Sequence, residues 1–158
     1  FGDPWPDVDS ADPAEWLGPE LHHIAEGTPA AQLDMYPALQ RLLPWPEATH
    51  LDELAPERLP VPSGRDAIID WSGDRPVVHI KLQECFGLAE SPEYCGHRRQ
   101  FHLLSPAGRP LAVTDDLASF WSGPYAGVRA DMRGRYPKHP WPEDPWNAVA
   151  TARTKNRM

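Results

Sequence analysis

The apolar positions of this chain change their spacing near residue 58. Before it they fall into short stretches broken by prolines, each with its own helical start or stop. Asp12-Pro13 reads as an N-cap followed by proline at the first helical position, which predicts a short helix through Trp16 and Leu17. A second helix over Leu21 to Ala25 stops at Gly27, and Thr28-Pro29 offers a further start. Leu33, Tyr36, Leu39 and Leu43 form one stripe at helical spacing and predict a helix over residues 34–43. Pro46 opens another short helix with Leu51 and Leu54 as its buried side, and Pro56 ends it. Residues 1–12, rich in Pro, Asp and Gly, read as a linker or arm.

Beyond residue 57 the pattern shortens to strands and turns. Arg58 to Pro62 and Asp66 to Trp71 flank Ser63-Gly64 and predict a hairpin. Residues 76–86 read two ways. Val78, Ile80 and Leu82 alternate as in a strand, whereas Val78, Leu82, Cys85 and Phe86 share a helical face. Asp74 as a cap, Pro76 in the first turn and Gly87 as a stop favour the helix, which is the expectation carried forward. Phe101 to Leu104 and Pro110 to Thr114 flank Ser105 to Arg109 as a second hairpin. Asp115 or Asp116 caps a helix bearing Leu117, Phe120 and Trp121, and a last helix from Pro124 to Arg135 presents Tyr125, Val128 and Met132 on one side. Tyr136 to Trp146 holds four prolines and runs extended. The expected fold is α+β: a small antiparallel sheet of two hairpins packed with short helices, preceded by a helical segment. Its expected divisions are an arm at 1–12, short helices at 13–56, the α+β domain at 57–135 and a proline-rich tail at 136–158.

Composition narrows the class. Twenty prolines in 158 residues exclude long-helix bundles and coiled coils, because each interior proline breaks a helix. Aliphatic content is low for a net charge of −8, but seven tryptophans each bury a large area. No apolar run is long enough to span a bilayer. Two cysteines make no disulfide framework, so the cytoplasm is the expected compartment. The chain opens at Phe1, which reads as a piece of something longer. Charge is uneven: residues 1–60 hold 12 acidic and 2 basic side chains, while residues 125–158 hold 7 basic and 3 acidic. The acidic whole argues against tight nucleic-acid binding by the entire surface, yet leaves a local basic face.

Catalytic machinery is absent from the sequence. It holds no phosphate-loop motif, no G-x-S-x-G, no H-E-x-x-H and no C-x-x-C. Asp52-Glu53 lies in a short helix before Pro56, which suits a solvated helix end rather than a magnesium site. Cys85, Cys95, His97 and His102 fit no tetrahedral zinc spacing, and Cys85 falls on an apolar face. His22-His23 with Glu26 reads as a solvated group, and Asp115-Asp116 as a cap. The expectation is no catalytic residue, no cofactor and no metal in this chain.

The basic end is the best functional candidate. Arg129 and Arg133 lie one helical turn apart, with Arg135 and Lys138 following and His139 and Trp141 beyond them. Arg and Lys suit phosphate oxygens, and Trp141 or Trp71 suits stacking on an unpaired base. The same cations also suit the negative end of a helix, and a Pro-Trp segment suits packing on the domain itself.

Four stretches, LDELAPERLPVPSGR, IDWSGDRPVVHIKLQECFGLAESP, FHLLSPAGRPLAVTDDLASFW and VRADMRGRYPKHPWPEDP, closely resemble the C-terminal region of HrpB-type bacterial helicases. These are ATP-dependent DEAH-box enzymes of helicase superfamily 2, and the resemblance covers about residues 14–155. It implies two RecA-like motor domains that bind ATP and magnesium elsewhere in the parent protein, since none of the motor motifs is present here. It also implies a non-catalytic auxiliary domain at the end of the helical region after the motor. Two roles follow from it. In one, Arg129, Arg133, Arg135 and Lys138 hold nucleic acid, single-stranded RNA being the expected class, with Trp141 or Trp71 stacking. In the other, the domain docks on the motor through an apolar patch lined by Trp16, Trp45 or Trp146 and touches no nucleic acid. The proline-rich run from Tyr136 to Pro145 as an extended ligand for a protein partner is a weaker third.

Overall fold

The computed structural model describes residues 3–91 and 93–157, so the first two residues of the expected arm lie outside the described residues. The chain forms two units, residues 1–52 and 53–158. No helix among the described residues is long and apolar enough to cross a membrane.

In the first unit, proline and short polar caps set the helix lengths. Helix α1 (Pro13–Trp16) starts where the Asp12 carboxylate accepts the Ala14 N–H. Helix α2 (Pro19–Ala25) and helix α3 (Tyr36–Leu42) follow, with 3₁₀ turns at Ala30–Gln32 and Glu47–His50. Arg41 on α3 ties back to α1 and α2, donating to the Trp16 carbonyl at 3.2 Å and pairing with Glu20. That guanidinium holds the Glu20 carboxyl below its ordinary range. The stripe expected of α3 is corrected: Ala38 is the buried residue, while Tyr36 and Leu39 are exposed. Successive residues are rotated ~100° round a helix, so an inward Ala38 turns Leu39 by ~100° and Tyr36 by ~200° away from the buried side. Leu54, expected inside, is exposed as well, at the end of helix α4 (Leu51–Leu54).

The second unit is built on a five-stranded sheet. Strands β1 (Arg58–Pro60) and β2 (Asp66–Asp70) form the expected first hairpin, and β6 (Gln100–Leu104) and β7 (Pro110–Thr114) the second. Between them, residues 77–81 are a strand, β3 (Val77–Lys81), which corrects the helix expected over 76–86. Val78 and Ile80 point into the core while Val77, His79 and Lys81 face the other way, the alternation of a half-buried strand. The helical spacing of Leu82 and Cys85 has a different origin. They share one face of a 3₁₀ turn (Leu82–Cys85) that ends the strand.

Strand β3 joins the two hairpins, antiparallel to β2 and parallel to β6, in the order β1-β2-β3-β6-β7. The fold is α+β as expected, with a mixed sheet rather than a purely antiparallel one. A parallel neighbour requires a long crossover. Residues 82–99 supply it and carry a small hairpin of β4 (Glu93–Tyr94) and β5 (His97–Arg98). Cys95 and Gly96 both have positive φ, as a two-residue turn of this hand requires.

One face of the sheet meets helices α5 (Leu117–Ser122) and α6 (Tyr125–Arg135). Asp116 caps α5, accepting from the Ser119 N–H at 2.9 Å. Phe86, Phe101, Phe120, Trp121, Tyr125 and Met132 are buried together with Val78, Ile80 and Leu103. The opposite face of the strands is open, leaving Ile68 at 67% and Val113 at 56% exposure.

Candidate nucleic-acid interface

Helix α6 and the proline-rich segment after it carry most of the expected contact residues. The apolar side of α6 buries Tyr125 and Met132, so its arginines are displayed away from the core. Arg129 and Arg133, one turn apart, have different surroundings. The Arg129 guanidinium, only 24% exposed, donates to the Trp141 carbonyl at 3.1 Å and to the Glu143 carboxylate at 2.7 Å. It is a clamp that holds the proline segment against the helix. Arg133 and Arg135 are exposed, and so is Lys138 beyond the helix end. Among the described residues no carboxylate lies within salt-bridge distance of these three.

The extended segment follows a fixed path. Tyr125 donates its hydroxyl to the Pro142 carbonyl at 2.8 Å, and its burial pushes the phenol up to about 12. The Gly87 N–H donates to the Pro145 carbonyl at 2.9 Å, and Thr151 N–H to the Gln83 carbonyl at 3.0 Å. Gly87 has φ +80, and a side chain there would lie 3.6 Å from the Trp146 carbonyl oxygen. Trp141 is buried, and its indole N–H donates to the Tyr136 carbonyl at 3.0 Å. That position removes Trp141 from base stacking and makes it the anchor of the segment. Trp71 is half-buried, donates to the Pro56 carbonyl at 2.9 Å and meets Tyr94 edge-on at 6.1 Å. Its ring edge is also engaged within the domain.

The structure adds a cation that the sequence reading passed over. The Lys155 N–H donates to the Lys138 carbonyl at 2.8 Å, so the end of the chain returns to the end of α6. Lys155 belongs to the run Arg153-Thr154-Lys155-Asn156-Arg157. The alternation of cations in that run is the signal that was available. Lys81, on the outer face of β3, lies near His139, and burial together with this ammonium holds the imidazole below its ordinary range. Arg133, Arg135, Lys138 and Lys155 thus surround one end of the helix.

The candidate ligand residues are dispersed. Cys85 is buried, which pushes its thiol up, and Cys95 donates to the Leu54 carbonyl at 3.5 Å. His102 bonds Gln100 at 3.0 Å and stands edge-on to His79. His22 lies 3.3 Å from Glu26 in the first unit. Among the described residues no three His, Cys, Asp or Glu side chains gather as a metal set. Of the tryptophans expected on a docking patch, Trp45 and Trp146 are exposed and Trp16 is half-buried.

Comparison with known proteins agrees with the resemblance read from the four sequence stretches. The family model described as "ATP-dependent helicase C-terminal", of the HrpB C-terminal family, matches residues 16–145. The chain is 40% identical to the ATP-dependent RNA helicase HrpB of Escherichia coli K12, an alignment spanning 96% of this chain and 20% of that protein. A crystal structure of the E. coli DExH-box NTPase HrpB superposes with a TM-score of 0.78 at 39% identity, covering 95% of this chain and 19% of the other. A crystal structure of the E. coli DEAH/RHA helicase HrpB gives 0.58 at 34% identity, covering 87% and 19%. The chain spans about a fifth of the length of these relatives and, with its α+β fold and the match over residues 16–145, belongs to the HrpB C-terminal family of ATP-dependent helicases.

Proposed function

We propose that this chain is a non-catalytic auxiliary domain of a cytoplasmic ATP-dependent RNA helicase, and that it holds single-stranded RNA beside the RecA-like motor. In that parent protein the motor binds ATP and magnesium and hydrolyses the nucleotide. This chain contributes only contacts. The observation that carries the reading is the group Arg133, Arg135 and Lys138, exposed and without carboxylate partners among the described residues, with Lys155 fastened beside them. Exposed guanidinium and ammonium groups without internal partners are suited to phosphate oxygens. Arg129, Trp141 and Trp71 fall outside the contact set under this reading, because each has an internal partner. Their role is to hold the shape that displays the other cations.

Fluorescence anisotropy of the 158-residue chain with labelled single-stranded RNA tests this at low and moderate salt. Salt-sensitive binding that weakens in the triple variant R133A/R135A/K138A is the expected result. The absence of binding at low salt overturns it.

A second reading is favoured by one observation, the open sheet face with exposed Ile68 and Val113. Apolar side chains on an uncovered face suit docking on the motor. An unchanged RNA affinity in the triple variant would move the assignment to that face.

A further inference from the structure

A second cationic site lies at the C-terminal end of the second unit. A cavity of about 430 Å³ is lined by Ser63, Arg65, Thr151, Arg153 and Arg157 together with the backbone run 149–152. Its lining residues carry three guanidinium groups and two hydroxyls, of which those of Arg65 and Ser63 are already bonded to the buried Glu84, and no carboxylate is among the described lining residues. Arg65 comes from the turn between β1 and β2, and one of its terminal nitrogens donates to the buried Glu84 carboxylate at 3.1 Å. Arg153 and Arg157 have no carboxylate partner among the described residues.

The segment that brings these arginines in is fixed at several points. Thr151 is bonded to Gln83, the Arg153 N–H donates to the Thr151 hydroxyl at 3.0 Å, and Lys155 is bonded to Lys138. The backbone that carries its cations is therefore fixed before any ligand arrives, which lowers the ordering cost of binding.

We infer that this cavity is an oxyanion cradle for the phosphodiester backbone of single-stranded RNA, an inference that rests on the nucleic-acid reading above. The chemistry matches that class: the guanidinium forks of Arg153 and Arg157 pair with phosphate oxygens in two-pronged fashion, and the Thr151 hydroxyl donates to the same acceptors. Ser63 and Arg65 are held by Glu84 at the cavity edge. No aromatic side chain among the described residues lines the cavity, so it grips backbone and reads no base. Lys155, between Arg153 and Arg157 in sequence, connects the cradle with the cations at the end of α6.

The test uses amide NMR spectra of the 158-residue chain and the salt dependence of its RNA affinity. The probes are homopolymeric single-stranded RNA and sodium pyrophosphate. In the native chain, RNA should shift the Ser63 and Thr151 amides. In R153A/R157A those shifts should vanish, and the log–log salt slope should fall by about 1.4, two contacts at about 0.7 each. R65K should retain the shifts, since the Glu84 pair and the positive charge persist. A native slope in R153A/R157A, or RNA binding that leaves those amides unmoved, overturns the cradle while the α6 cations still account for binding. If RNA fails to bind at all, the broader reading falls and RNA is lost as the ligand of the cradle. Pyrophosphate shifts at the same amides would then mark a site for a different oxyanion, and their absence would remove the site altogether.

Discussion

Two groups of cations in the second unit have opposite surroundings, while Arg58, Lys81 and Arg109 on the sheet and its turn belong to neither. In the body of the domain, Arg65, Arg75, Arg98 and Arg129 each stand within 4.0 Å of a carboxylate. Arg99, wholly buried, lies over the Tyr94 ring at 4.6 Å. From the last turn of α6 onward, Arg133, Arg135, Lys138, Arg153, Lys155 and Arg157 have no acidic partner among the described residues. Residues of the same chemistry thus hold the fold in one region and remain available in the other. Arg129 and Arg133 make the lesson sharpest, because one helical turn separates a clamp from a free cation. Spacing alone does not tell them apart. The partner does.

The comparison breaks most severely if the shared core is lost, since both regions depend on it. Phe101 is fully buried on β6, an inner strand of the sheet between β3 and β7. Phe101→Ala should cost about 3–5 kcal/mol in urea denaturation and abolish RNA binding with the fold. A cost close to zero would mean that the core is not centred there.

The next effect separates the two regions. Arg129→Ala removes two hydrogen bonds that hold the proline segment, one of them charged, and should cost about 1–3 kcal/mol in thermal or urea melts. Arg133→Ala should stay within about 0.5 kcal/mol of the native chain, as surface changes without partners do. Equal costs would erase the distinction.

A smaller effect tests the segment itself by pH. The Tyr125 hydroxyl donates to Pro142 and is raised to about 12 in the fold, against ~10 in an unfolded chain. The protonated form is the one the fold favours. Its contribution is therefore complete below pH ~10 and is lost as pH rises through about 12. Tyr125→Phe should cost about 0.5–1.5 kcal/mol at neutral pH and flatten the alkaline decline in stability. A decline as steep as that of the native chain would place its cause elsewhere. The mildest expectation is chemical: the buried Cys85, with its thiol pushed up, should resist alkylation in the native chain and react only on unfolding.

Much of the fold was legible because its signals are local. Ser63-Gly64 and the run Ser105 to Arg109 mark turns through their own chemistry, and Asp12 and Asp116 cap helices within three residues of themselves. The central strand was misread because its evidence lies in its neighbours. Val77 to Lys81 is extended because β2 and β6 pair with it on both sides, and β6 begins 19 residues after β3 ends. The stripe on α3 failed for a related reason: the inward residue is Ala38, whose small apolar side chain carries little weight in a pattern of leucines.

The candidate interface was legible in part. Arg133, Arg135 and Lys138 stood out by charge. The clamp at Arg129 depends on Glu143, 14 residues further on, and the burial of Trp141 depends on a path that prolines permit but do not specify. Arg153 and Arg157 line one cavity together with Arg65, which stands far earlier in the chain and which their own sequence does not point to.

The most direct measurement is the slope of log affinity against log salt for single-stranded RNA, taken for the native chain, for R129A and for R133A/R135A/K138A. Three lost phosphate contacts should lower the slope of the triple variant by about 2, at about 0.7 each, while its melting temperature holds. R129A should melt earlier and keep the native slope wherever it remains folded. A triple variant with the native slope would contradict the division of the cations into structural and available sets.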